Sequence, residues 1–168
     1  MSENLIIIPT YNEKENIGNI ISAVFGLKED FHVLIVDDSS PDGTAEIVKN
    51  LQKIYPHELH LSIRKVKDGL GQAYIHGFRW ALQNNFDYIF EMDADFSHNP
   101  KDLNRLYEAC LKNDMSIGSR YSKGVNVVNW RMGRVLLSCF ASKYVRCILG
   151  SPVHDTTAGF VCFSRKVL

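Results

Sequence analysis

The densest chemistry in the chain lies in Glu91-Met92-Asp93-Ala94-Asp95-Phe96-Ser97-His98. Two carboxylates, Asp93 and Asp95, follow Asp87-Tyr88-Ile89-Phe90, an apolar and aromatic run that predicts a short buried strand. Residues two apart in extended backbone point the same way. Both acids should therefore leave the strand end facing one cleft. Converging anions are costly unless a cation neutralises them, and oxygen ligands of this kind suit Mg²⁺ or Mn²⁺, which keep open positions for phosphates. An isolated D-x-D is more often a solvated or helix-capping pair. Asn99 and Pro100 indeed predict an N-cap and a first helical residue just downstream. The elements around the pair decide between the two readings.

Those elements alternate. Apolar runs at Leu5–Ile8, ended by Pro9, at Val33–Val36, Leu59–Ile63, Tyr88–Met92, Met115–Ile117 and Phe160–Phe163 predict strands. Between them, helical spacing is carried by Ile17, Ile20, Ile21, Val24 and Phe25, by Ile47, Val48, Leu51 and Ile54, by Tyr74, Phe78, Ala81 and Leu82, and by Leu103–Leu111. Asn12 and Glu15 predict the cap and box partner of the first helix. Such alternation indicates an α/β fold with a mainly parallel central sheet and helices on both faces. Ligands of these sheets bind beyond the carboxyl ends of the strands. Pro9-Thr10-Tyr11-Asn12-Glu13, Asp37-Asp38-Ser39 and Asp93-Ala94-Asp95 each follow a strand, so they should collect along one edge.

Bulk properties narrow the function classes. The 168 residues predict one domain, with 45% hydrophobic and 23% charged residues, ordinary for a globular protein. Lys plus Arg and Asp plus Glu are 19 each, so no global charge points to nucleic acid. Cys110, Cys139, Cys147 and Cys162 form no C-x-x-C pair and sit among apolar residues. They read as buried small hydrophobes in a reducing compartment, with neither a disulfide framework nor a zinc site favoured. No signal peptide is evident, and no apolar run approaches the roughly 20 residues that span a membrane. Gly69, Gly71 and Gly77 miss the G-x-G-x-x-G spacing of a dinucleotide fingerprint. That loop reads equally as a phosphate-approaching turn with Lys67 nearby or as an ordinary Gly turn. His76 and His98 read as helix-surface or capping residues.

The last third changes character. Gly118-Ser119-Arg120-Tyr121 brings a cation to the cleft edge. Trp130–Leu149 predicts a long helix with Arg131, Arg134, Lys143 and Arg146 on one side and Leu136, Leu137, Phe140, Tyr144 and Ile148 on the other. Such a basic amphipathic helix suits either packing on the sheet with a solvated basic face or an anionic membrane surface. Asp155–Gly159 then forms a loop before the last strand, and the pattern runs into Arg165-Lys166-Val167-Leu168, where a cut in a longer domain is expected.

Taken together, Pro9–Glu13, Val36–Thr44, Gly69–Gly71 with Ala73–Gly77, Met92–Asp95 with Ser97-His98, Gly118–Tyr121, Arg134 and Asp155-x-Thr-x-Gly159-Phe160 resemble the family 2 glycosyltransferases of the GT-A fold. Within that family the pattern is most similar to the dolichol-phosphate (polyprenol-phosphate) mannosyltransferases. The resemblance implies a single GT-A catalytic domain over 1–168, transferring mannose from GDP-mannose to a polyprenyl phosphate with inversion and with Mg²⁺ or Mn²⁺. It implies donor contacts at Pro9, Tyr11, Glu13, Val36, Asp38, Lys67, Asp93, Ala94 and Asp95, and metal ligands at Asp93, Asp95 and Ser97. Asp95, Arg120 and Arg134 would serve the reaction itself, the arginines facing phosphate oxygens; Asp155 matches without a defined role. A cytoplasmic protein held peripherally on the cytosolic membrane face is implied, as is a membrane-anchoring partner subunit. Two other readings stay open: a related transferase using a UDP-sugar, and an inactive nucleotide-sugar-binding module.

Overall fold

The computed structural model describes residues 3–120, 132–150, 153 and 155–168; at 132, 134–137 and 139 it describes the backbone alone. Along these residues run β1 (Asn4–Thr10), α1 (Ile17–Phe25), β2 (Phe31–Asp37), α2 (Thr44–Gln52), β3 (Leu59–Ile63), α3 (Leu70–Gln83), β4 (Tyr88–Glu91), α4 (Leu103–Cys110), β5 (Met115–Ile117), α5 (Met132–Leu149) and β6 (Val161–Ser164). They build a six-stranded sheet in the order β3-β2-β1-β4-β6-β5. The first four strands in that order are parallel, and β6 lies antiparallel to both β4 and β5. The mainly parallel α/β architecture read from the alternation is the one observed.

Strand periodicity explains how both faces are covered. Ile6 and Ile8 of β1 point into a core formed with Ile17, Ile20, Val48, Leu103 and Leu106 of α1, α2 and α4. Leu5 and Ile7 point to the other face, against Ala73, Tyr74 and Ala81 of α3. Each such fully buried aliphatic side chain contributes roughly 1.5–3 kcal/mol. On the α3 side the approach is close: a Cβ at Gly77 would lie 2.6 Å from Ile7 Cγ2.

Three local expectations are corrected. Pro9 does not end β1, which pairs with β2 through Thr10. The Ile7 carbonyl accepts from the Met92 N–H, so residues of that parity face β4. At Pro9 the neighbour has already ended, and the missing N–H leaves no ladder bond unmade. Second, Asn12 and Glu15 do not cap α1. Asn12 takes a left-handed turn (φ 61°) with its N–H donating to Ser40 Oγ, and the cap position falls to Asn16. Third, Cys110 and Cys162 are buried as expected, but Cys147 is exposed on α5.

Helix α5 holds its apolar stripe outward. Its small polar side faces the 155–157 loop, where Ser138 Oγ lies 3.3 Å from Thr157 Oγ1 and the Thr156 hydroxyl donates to Ser142 Oγ at 3.5 Å. Phe140, Tyr144 and Ile148 therefore point outward, exposed to 66%, 68% and 64%. Serine hydroxyls can satisfy a polar loop where leucine-sized side chains cannot, so of the two arrangements left open by the sequence, packing of this apolar stripe on the sheet is not the one observed. Expectations for Tyr121, Trp130, Arg131 and the Arg134 side chain lie outside the described residues.

Candidate active site

The strand-end loops do converge. Beyond the carboxyl ends of β1, β2 and β4 lies a cleft of ≈ 250 Å³. The β1–α1 segment lines it with Pro9, Thr10, Tyr11 and Glu13; Asp38 follows β2; Lys67, Gly69, Leu70 and Ala73 come from the α3 entry; Asp93, Ala94 and Asp95 follow β4. Of the expected donor contacts only Val36 is absent, being fully buried in the sheet against α3. Thr10, Gly69, Leu70 and Ala73, which lie within the motifs read from the sequence but carried no assigned donor contact, join the lining.

Asp37 and Asp38 take opposite roles. Asp37 is fully buried and knits the first two loops together: its carboxylate accepts from the Thr10 hydroxyl at 2.8 Å, the Ser40 hydroxyl at 2.6 Å and the Ser40 N–H at 2.9 Å. The Thr44 hydroxyl likewise accepts from the Glu13 N–H and donates to Asp42. Strand alternation sends the next residue, Asp38, to the cleft, where Arg64 Nε lies 3.1 Å from its Oδ1. Arg64 also pairs with Asp68 and donates to the Val66 carbonyl, folding the loop before α3 back on itself. One residue short of Asp68, Lys67 Nζ sits 3.4 Å over the centre of the Tyr11 ring, a cation–π contact that roofs this end of the cleft. Arg64 carries no motif around it, so no sequence signal marked it.

At the other end stand the acids. Asp95 Oδ1 accepts from the Ser97 N–H at 2.9 Å. Burial opposes ionisation of Asp95, yet the Ser97 hydroxyl and N–H, with His98 nearby, hold its carboxyl below the usual range. Ser97 thus contacts Asp95 and does not line the cleft. Asp93 moves the other way. Burial, with the Asp95 charge, raises it against the opposing pull of His98 and of the Tyr74 hydroxyl, which donates at 3.4 Å. Glu91 behind it is pushed up to about 7 by burial and then by Asp93. This is an electrostatic setting that a divalent cation would relieve. Among the described residues no group of three His, Cys, Asp or Glu side chains is arranged to hold a metal. A pair of carboxylates with the remaining positions left to water and phosphate oxygens is the arrangement that suits Mg²⁺ or Mn²⁺.

His98 is not a surface residue. Its side chain is 12% exposed, with Nδ1 4.0 Å from Asp93 Oδ2 and the ring stacked on Phe160. Nor does Arg120 stand alone. Its Nε and one terminal nitrogen donate to the two oxygens of Asp155 at 2.9 and 2.6 Å, its backbone N–H donates to Oδ2, and it also reaches the Thr157 hydroxyl. Burial works against the Asp155 charge, and the Arg120 contacts overcome it and keep its carboxyl below the usual range. The undefined role of Asp155 is thereby resolved as the anchor of Arg120.

The stretch of chain that brings these polar groups and the paired acid together lies within a known domain. Residues 5–168 match the description Glycosyl transferase family 2. The chain belongs to that family. A polyprenol monophosphomannose synthase from Mycolicibacterium smegmatis is 45% identical over 165 residues, covering 98% of this chain and 62% of the relative. An undecaprenyl-phosphate mannosyltransferase from Micrococcus luteus is 43% identical over 164 residues, covering 98% of this chain and 67% of the relative. The chain therefore spans about two-thirds or less of these relatives. Among solved structures, a mannosyltransferase from Pyrobaculum calidifontis in complex with GDP-Man and Mn²⁺ superposes with a TM-score of 0.68 at 20% identity, covering 99% of this chain and 45% of that one. Glucosyl-3-phosphoglycerate synthase from Mycobacterium tuberculosis, solved with Mn²⁺, UDP-Glc and phosphoglyceric acid, superposes with a TM-score of 0.71 at 17% identity, covering 99% and 58%. These likenesses establish the fold of the family 2 chain as GT-A.

Proposed function

We propose that this chain is the catalytic domain of a polyprenyl-phosphate mannosyltransferase, moving mannose from GDP-mannose to the lipid phosphate with inversion and with Mg²⁺ or Mn²⁺. The observation that carries the reading is the single cleft in which Tyr11, Asp38 and Lys67 meet Asp93 and Asp95. Its two ends suit the two ends of a nucleotide sugar. The names of the two bacterial relatives supply the acceptor and the sugar.

The residues divide the work by chemistry. Asp38, held by Arg64, offers a fixed acceptor to the N–H groups of a base, and Tyr11 offers an aromatic wall. Asp93 and Asp95 would hold the divalent ion, whose charge stabilises the departing diphosphate when bound. Lys67 adds a cation within the same cleft. The acceptor phosphate is already anionic, so its oxygen can attack the anomeric carbon while the bond to the diphosphate breaks, and no strong general base is required. Positioning two anions is the harder task. Arg120, which does not line the cleft and is fixed by Asp155, and Arg134 are both assigned to phosphate contact from their places in the motif order.

The membrane side of the reading rests on α5. Its outward stripe of Phe140, Tyr144 and Ile148, beside exposed Lys143, suits shallow insertion among lipid headgroups. Among the described residues, no helix is long and apolar enough to cross a membrane. The exposed stripe suits a peripheral position on the cytosolic face, and a membrane-anchoring partner belongs to the same reading.

Calorimetry with GDP-mannose, GDP, UDP-glucose and UDP, each with and without Mn²⁺, tests the donor. Mn²⁺-dependent GDP binding is expected, and tight Mn²⁺-dependent UDP binding without GDP binding would replace the mannosyl reading by the UDP-sugar one. Transfer to a short polyprenyl phosphate is then measured by product release. Donor binding without transfer, in this chain and in one extended to the length of its relatives, favours the inactive module.

A further inference from the structure

We propose that His98 is a positioning residue for Asp93, a role resting on the metal reading above, and that its stack on Phe160 ties the acid pair to the loops bearing Arg120 and Asp155.

The two oxygens of Asp93 have different neighbours. Oδ1 accepts from the Tyr74 hydroxyl at 3.4 Å, while Oδ2 faces His98 Nδ1 at 4.0 Å. That nitrogen is buried and has no hydrogen-bond partner among the described residues. A buried polar atom left unpaired is costly, so the nitrogen gains from any partner brought within reach. A move of less than an ångström or so would bring the pair within hydrogen-bond range of about 2.7–3.2 Å. The long Tyr74 contact leaves Asp93 free to make that move. Catalytic-site hydrogen bonds are commonly long before ligands bind and tighten afterwards.

What keeps the imidazole aimed at Asp93 is packing. The ring lies parallel to Phe160, with centroids 4.9 Å apart and planes 9° from coplanar. Gly159 leaves the gap in which ring and carboxylate meet, since a Cβ there would stand 3.5 Å from Asp93 Oδ2 and 3.9 Å from His98 Cε1. Phe160 itself is buried and seated on the far side. The Gly118 N–H donates to its carbonyl at 2.8 Å, and a Cβ at Gly118 would come within 2.6 Å of its ring. Two residues on is Arg120, gripping Asp155. Contacts therefore run without a break from Asp93 through His98 and Phe160 to the strand end that launches Arg120. Partners of this kind, which orient a metal ligand without touching the metal, typically change metal affinity about 10–100-fold when removed.

The competing account is a histidine that only fills space on Phe160. Side-chain chemistry separates the two, because asparagine places an N–H near the Nδ1 position and leucine fills volume without a donor. The measurement is the ratio of GDP affinities with Mn²⁺ and with EDTA, by calorimetry on the 168-residue chain, with UDP in parallel. We expect His98→Leu to lower that ratio about tenfold or more while the EDTA affinity and the thermal midpoint stay close to wild type. His98→Asn should keep the ratio within about threefold of wild type on the same reasoning. Phe160→Leu, which retains the donor but loosens its seat, should fall between them and serves if the leucine variant does not fold. A wild-type ratio near one, or an unchanged ratio in Asp95→Ala, overturns the metal reading and this proposal with it. A large ratio that Asp95→Ala abolishes but His98→Leu and Phe160→Leu leave intact overturns this proposal alone, as does equal loss in His98→Leu and His98→Asn.

Discussion

Arg120 holds Asp155 in a two-pronged grip, Nε to Oδ2 at 2.9 Å and a terminal nitrogen to Oδ1 at 2.6 Å, across 35 residues of chain. Asp155 is 2% exposed, so the pair closes the gap between the end of β5 and the loop before β6 at a nearly dry position. Removing one partner of a buried pair strands the other charge, which costs about 3–5 kcal/mol. Arg120→Ala is therefore expected to lose stability on that scale in urea unfolding, and Arg120→Ala with Asp155→Ala together to lose less than Arg120→Ala alone. A double variant as unstable as the sum of the single ones would show that the two residues act independently.

The parts of the site legible in sequence were those whose chemistry is local. Asp93 and Asp95 announce themselves by following an apolar strand, and alternation around them implies a sheet edge where loops meet. Arg64 lies outside every motif, and His98 and Asp155 lie within motifs that left their roles undefined. Each acquires its role from a partner distant in sequence: Asp38 lies 26 residues before Arg64, and Phe160 lies 62 after His98. Pairing across that separation is a property of the folded sheet, in which β6 inserts antiparallel between β4 and β5. Helix α5 was left open between two arrangements for a related reason. Periodicity groups Phe140, Tyr144 and Ile148 into one stripe, but the contacts of Ser138 and Ser142 with the polar 155–157 loop decide that the stripe faces outward.

Two glycines of one helix should respond in opposite ways. Alanine is the better helix former by about 1 kcal/mol. At Gly71 a Cβ meets nothing within 4 Å, so Gly71→Ala should raise the thermal midpoint slightly. At Gly77 the same atom would lie 2.6 and 2.9 Å from the Cγ2 and Cδ1 atoms of Ile7, a fully buried central-strand residue. Overpacking of this kind costs roughly 1–3 kcal/mol, enough to reverse the propensity gain. A stabilised Gly77→Ala protein in chemical denaturation would show that α3 rides away from β1 more easily than the packing implies.

The opposite end of the sheet carries a pH dependence. His32 Nδ1 and His60 Nε2 are 3.3 Å apart, with Phe86 and Trp80 against the rings. Burial first, and then the neighbouring His32, hold the His60 pKa below its usual value, while Glu58 pulls weakly the other way. The unfolded chain therefore binds a proton at His60 that the folded chain refuses. Stability is fully present above the unfolded pKa, near 6.5, and declines as pH falls from there through the folded value. His60 is half-buried, so solvent screening limits the effect. A loss of about 1–3 °C in thermal midpoint between pH 7 and pH 5 from this site is expected for a domain of this size. His60→Phe should flatten that part of the profile, and an unchanged slope in the variant would assign the acid sensitivity elsewhere.

Arg64 makes the sharpest test of the donor end. Its side chain is 9% exposed, its Nε stands 3.1 Å from the cleft-lining carboxylate of Asp38, and its other edge pairs with Asp68. A methionine would match the stem but free Asp38 to rotate, blunting the acceptor that the proposed base contact requires. Arg64→Met should weaken GDP binding about tenfold, equivalent to 1.4 kcal/mol, and Arg64→Lys should not restore it, because one ammonium cannot serve two carboxylates in the geometry of a guanidinium. The decisive comparison is made in an Asp38→Asn background. If Arg64 acts through Asp38, its replacement there should cost much less than in the wild-type chain. An equal cost in both backgrounds would mean that Arg64 supports the cleft through the Lys67 loop and not through Asp38.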